Sequence, residues 1–104
     1  MEKQEKTLVG QAAPEEIEAW KREYGRVFST TADGHVAYFR KPNRKELSYV
    51  LSLRDKPLEM TETLMRQCFV GGSRIFIDDV EYMLGCDALI ERLVNMKMAE
   101  VGEL

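Results

Sequence analysis

Apolar residues recur along this chain with two periods, and the switches between those periods divide it into elements. Residues 1–13 show neither period. Glu2, Lys3, Glu5 and Lys6 leave little beyond Leu8 and Val9 to bury, which predicts a flexible N-terminal arm. Pro14 suits a first helical turn, and Glu15, Glu16 and Glu18 suit the positive end of the helix dipole. Ile17, Trp20 and Tyr24 then fall on one stripe, with Trp20 as its anchor, and Gly25 supplies a left-handed cap. The period shortens to two over Arg26–Ala32 and His35–Arg40, on either side of Asp33-Gly34. That dipeptide tolerates the positive φ of a type I′ turn and predicts a hairpin. A two-residue loop pairs Ala32 with His35, Thr30 with Ala37, and Phe28 with Phe39. Phe28 and Phe39 then face the helices, with Val36 and Tyr38 on the opposite side.

Helical spacing returns after Lys41-Pro42. Asn43 with Glu46 three residues on forms a capping box, and Leu47, Val50 and Leu51 make the buried stripe of a second helix. A third helix over 58–68 buries Leu58, Leu64, Met65 and Cys68. Phe69-Val70 extends its apolar run, and Gly71-Gly72 breaks the run and turns the chain. Arg74–Ile77 is short and β-branched, a small strand or an extended link. Asp78 with Glu81 opens a fourth helix carrying Val80, Met83 and Leu84. A last helix from Asp87 carries Leu89, Ile90, Leu93 and Val94, with Met96 at the edge of its stripe. The fold class is therefore α+β: one β-hairpin packed with four to five short helices around a single core. Residues 14–104 form one domain, with Ile17, Trp20, Phe28, Phe39, Leu47, Leu51, Leu64, Leu89, Ile90 and Leu93 as its core.

Composition narrows the class. The chain has 104 residues and a net charge of −3, with 32% charged and 44% hydrophobic residues, which suits a single core without metal or disulfide staples. No apolar run approaches the length of a membrane helix, and the N-terminus lacks a signal-peptide pattern. The expected setting is the cytoplasm, with Cys68 and Cys86 as buried, reduced thiols.

Candidate chemistry is sparse. His35 is the only histidine and is expected to be solvated beside its turn. Neither it nor the two cysteines provide zinc-ligand spacing. Asp78, Asp79 and Glu81 lack the ligand order of a calcium loop and suit helix capping. Gly71-Gly72-Ser73-Arg74 lacks the residues that complete a phosphate loop. No nucleophile is paired with a base, so no catalytic residue, cofactor or metal is assigned and an enzyme is not expected. Two features exceed background. Residues 26–45 hold five basic groups and one acid, a local charge of +4, and Arg40, Lys41, Arg44 and Lys45 crowd one strand-to-helix corner as a candidate anion site. Methionines at the margins of the helical stripes, Met60, Met96 and Met98, are candidate partner-binding residues. With Leu89 at zero on a helical wheel, Met98 lies at about 180° and points away from the core.

The run Glu16-Ile17-Glu18-Ala19-Trp20-Lys21-x-x-Tyr24-Gly25-Arg26-Val27, then Asp33-Gly34, then Ala37-Tyr38-Phe39-Arg40-Lys41-Pro42-Asn43-Arg44, resembles small proteins of tailed phages and prophages. So do Cys68-Phe69-Val70-Gly71-Gly72 and the final helix. The resemblance is to tail assembly chaperone-type proteins and covers residues 15–104. It implies a non-enzymatic protein, active in the bacterial host cytoplasm, that binds the tape-measure chain or tail-tube subunits during virion assembly and often works as a homo-oligomer. Two alternatives stay open: a nucleic-acid-associated accessory protein using the Arg40–Lys45 corner, which the acidic net charge disfavours, and an enzyme subunit whose chemistry sits on a partner.

Overall fold

The computed structural model describes residues 7–94 and 97–104. The hairpin has the expected register. Strands β1 (Val27–Ala32) and β2 (His35–Arg40) pair with Ala32 opposite His35, Thr30 opposite Ala37, and Phe28 opposite Phe39. Asp33 and Gly34 take φ of 51° and 78°, as a type I′ turn requires.

A third strand joins the hairpin. β3 (Phe69–Gly72) runs antiparallel to β2, giving the order β1-β2-β3, with a bulge at Tyr38/Phe39. Gly71-Gly72 is thus part of a strand and not a reversing turn. The missing side chain at Gly71 is the reason: a Cβ there would lie 2.7 Å from the Trp20 ring, which rests on the sheet at this point.

Both faces of the sheet are covered. On one, Ala37 and Phe39 are fully buried against Leu64, Met65, Cys68, Phe76 and Leu93. These come from helices α3 (Pro57–Cys68), α4 (Ile75–Asp78) and α6 (Asp87–Leu93). On the other, α1 (Pro14–Tyr24) sets Trp20 against Tyr38 with ring centroids 5.3 Å apart, and the Ala12 N–H donates to the Tyr38 hydroxyl. Gly25 closes α1 with φ 88° and ψ −115°, positive in φ but outside the left-handed helical basin.

The predicted loose arm does not extend through residues 8–12. Val9 bridges β2 in parallel, donating to the Gly34 carbonyl and accepting from the Val36 N–H. Gly10 follows so close to Ser73 that a Cβ would meet its nitrogen at 2.3 Å. Main-chain hydrogen bonds hold this segment, so the scarcity of apolar residues did not disclose it. The charged positions Glu2, Lys3, Glu5 and Lys6 lie outside the described residues.

The helices form where capping and periodicity place them, but their burial differs in detail. In α2 (Arg44–Leu51) Asn43 and Glu46 form the expected capping box. Val50 is buried there, while Leu47 is half-buried and Leu51 exposed. Leu51 is one residue on, about 100° around the helix from Val50, and misses α3. Leu58 is exposed too, because it sits in the first turn of α3, while Leu64, Met65 and Cys68 near its other end reach the core. Residues 75–78 are a helical turn, not a strand or link: one turn buries both Phe76 and Ile77, which outweighs the β preference of the isoleucines. The next helix, α5 (Val80–Leu84), is capped by Asp79 in place of Asp78, and only Met83 of its three apolar residues is buried; Val80 and Leu84 face out. Ile17, Trp20, Phe28 and Ile90 are half-buried, whereas Phe39, Leu64, Leu89 and Leu93 are buried as expected.

α6 stops at Leu93, and residues 97–104 are not helical. The wheel that placed Met98 therefore does not continue to it.

Candidate functional site

The basic corner forms where β2 runs into α2. Arg40 ends the strand and points across the corner, where Nη1 and Nη2 meet the Glu46 carboxylate at 2.8 and 2.9 Å. Nη2 also donates to the Gln67 carbonyl at 2.8 Å, and Nη1 to the Lys41 carbonyl. The guanidinium carbon lies 5.6 Å from the Tyr24 ring centre. These contacts tie β2, α2 and the end of α3 together. The shared hydrogen bonds raise the Arg40 pKa and hold the Glu46 carboxyl below its usual range, with desolvation opposing both.

Arg40 is therefore not a free cation, which corrects its assignment to an anion site. Its fork is filled by a carboxylate and two carbonyls, whereas Lys41 remains half-buried and Arg44 and Lys45 are exposed on the first turn of α2. With Arg40 engaged, fewer cations of the corner are left for an anion than the sequence count suggests.

The methionines separate as well. Met60 is half-buried and packs against the core, which leaves only part of its side chain at the surface. Met96 lies outside the described residues. Met98 is 87% exposed, within a non-helical stretch that also exposes Val101.

A second cluster gathers around the hairpin turn, and sequence reasoning missed it. His35 is half-buried and engaged by its neighbours, where a solvated side chain is expected from the sequence. Its Nδ1 lies 2.8 Å from the Ser73 Oγ, and its ring meets Tyr82 edge-on at 6.0 Å. The Tyr82 hydroxyl donates to Asp33 at 2.9 Å, and this hydrogen bond to the carboxylate raises the phenol pKa. Beside the turn a crevice of about 210 Å³ runs between β1 and α5, lined by Thr30, Thr31, Ala32, Phe76, Tyr82 and Cys86, with Asp33 and Glu81 also on its wall.

The His35–Ser73 pair is the nearest approach to a nucleophile and a base. Ser73 is buried, its N–H is bonded to the Val36 carbonyl, and its Oγ also accepts from the Ile75 N–H. Neither residue lines the crevice. The pair fastens β2 to the start of α4. Cys86 does reach the crevice, but burial pushes its thiol up and Sγ donates to the Tyr82 carbonyl at 3.3 Å, leaving little thiolate near neutral pH. Among the described residues, no group of three or more His, Cys, Asp or Glu side chains could hold a metal ion, and no helix is long and apolar enough to cross a membrane.

Only the spatial joining of His35 to Ser73, and of Asp33 to Tyr82, 49 residues on, could have announced this cluster, and no local spacing encodes either. Comparison with protein-family models, with curated proteins and with solved structures finds no match to this chain.

Proposed function

We propose that the protein is a non-enzymatic binding factor of the tail assembly chaperone type, which holds a tape-measure or tail-tube chain in the bacterial host cytoplasm. One observation carries the reading: residues 97–104 leave the body with Met98 and Val101 unshielded at 87% and 97% exposure. A flexible thioether and a branched side chain on an unpaired segment suit a groove or an apolar face on a partner. The order of motifs over residues 15–104 supplies the identity of that partner by resemblance.

A pull-down with tape-measure and tail-tube fragments at low and high salt tests this. Binding should survive salt, fall at least tenfold in Met98→Glu, and persist when Lys41, Arg44 and Lys45 are all changed to Ala. Arg40 stays in place in that variant, because removing it would strand Glu46. Failure to bind any fragment at any salt, together with DNA binding lost in the triple variant, would overturn the chaperone reading in favour of a nucleic-acid accessory protein.

A further inference from the structure

We propose that β1 is a self-association edge, pairing antiparallel with β1 of a second copy about a two-fold axis through Ser29. The main chain shows which way this strand faces. Val36, opposite Thr31, gives its N–H to Val9 and its carbonyl to Ser73, so both groups point away from β1. Thr31 and Val36 are thus a non-hydrogen-bonded pair. By the alternation of an antiparallel ladder, Val27, Ser29 and Thr31 turn their own N–H and carbonyl groups to the free edge. Among the described residues, no backbone hydrogen bond reaches those groups from outside the hairpin.

The other side of the sheet is protected. β3 has four residues, two of them glycine, is joined through a bulge, and is followed by the bridge from Val9. β1 has none of the devices that keep sheet edges apart. It is six residues of Val, Phe, Ser, Thr, Thr and Ala, with no charge, proline or bulge.

Charge complementarity identifies the occupant as a second copy. Centring the pairing on Ser29 sets Val27 against Thr31 of the other chain and Arg26 against Ala32, with side chains on the same face. Arg26 then lies at the wall of the crevice that carries Asp33 and Glu81. Two-fold symmetry repeats this contact, so both ends of the paired strands match positive to negative. The acidic segment around Glu100 and Glu103 would meet like charge at that wall and fits poorly. The product is a continuous six-stranded sheet, an ordinary size.

Sedimentation of the full chain up to about 1 mM, combined with cysteine cross-linking, tests the proposal. The two Ser29 Cα atoms should lie about 5.5 Å apart, within disulfide reach. Two Thr31 positions would be roughly 14 Å apart. Ser29→Cys should therefore form a disulfide dimer on mild oxidation and Thr31→Cys should not; Cys68 and Cys86 are buried and do not compete. Arg26→Glu should weaken the dimer about tenfold, and adding Glu81→Lys should restore it. A chain that stays monomeric throughout, or a Ser29→Cys variant that cross-links no better than Thr31→Cys, would overturn it. So would an Arg26→Glu variant, folded by circular dichroism, with unchanged association.

Discussion

Replacing Glu46 by glutamine keeps the shape of the side chain and removes its charge. The structure fixes what that should cost. Arg40 and Glu46 are 19% and 22% exposed, joined by two charge-assisted hydrogen bonds of 2.8 and 2.9 Å. An exposed ion pair contributes at most about 1 kcal/mol, and stranding one partner of a fully buried pair costs about 3–5 kcal/mol. At this exposure, with Arg40 keeping its carbonyl contacts and glutamine still able to accept from the Asn43 N–H, the expected loss is about 2 kcal/mol, or roughly 10 °C in Tm. The pH dependence gives a sharper signature. The folded Glu46 pKa is depressed, so its contribution is complete above the unfolded value of about 4.3 and is lost as pH falls through the lower folded value. Urea melts of wild type and Glu46→Gln should differ by that amount at pH 7 and converge as the pH is lowered below 4. Glu62→Gln, whose pair with Arg66 is about half-exposed on both sides, should change stability by less than about 0.5 kcal/mol. A Glu46→Gln loss below about 0.5 kcal/mol at pH 7, or one independent of pH, would refute the assignment of Arg40 as the tie of this corner.

Core packing predicts that Leu93→Ala, at a fully buried site, costs about 2–5 kcal/mol in a chemical melt, while Leu51→Ala, at an exposed one, costs less than about 1 kcal/mol. Gly71→Ala should push the Trp20 ring off Tyr38, costing about 1–3 kcal/mol and shifting tryptophan fluorescence to the red. Burial pushes the Cys68 thiol up to about 12, so Cys68 should react with a thiol reagent only as fast as the protein opens, and mass spectrometry of unreduced protein should find no internal disulfide.

Local chemistry was legible in the sequence and packing only in part. Asp33-Gly34 disclosed the hairpin and its register, because a two-residue turn leaves one pairing open. Asn43 with Glu46 disclosed the start of α2 for the same kind of reason: the capping contacts span three residues. Whether an apolar residue is buried depends on what lies beside its helix. Leu51 and Val50 are adjacent in sequence, yet one faces α3 and the other faces outward. Arg40 shows the same limit for charge. It counts as one of four neighbouring cations until the Gln67 carbonyl and Glu46 carboxylate, brought together by the fold, close around it.

The open edge follows from a strand, β3, whose sequence argued against it. A hairpin alone has two free edges, and nothing in Val27–Ala32 or His35–Arg40 says which will be covered. Phe69–Gly72 decides that by pairing with β2, and it can do so because Gly71 leaves room for Trp20 and the Val9 segment takes up the next hydrogen bonds of β2. Glycines that weaken a strand in isolation are what allow α1 and the sheet to approach. With β3 and the Val9 segment on the outer side of β2, no backbone hydrogen bond from outside the hairpin reaches Val27, Ser29 or Thr31 among the described residues. An uncharged strand left in that position invites pairing with another chain. Arg26 at one end and the Asp33–Glu81 wall at the other then make a second copy the occupant whose charges match.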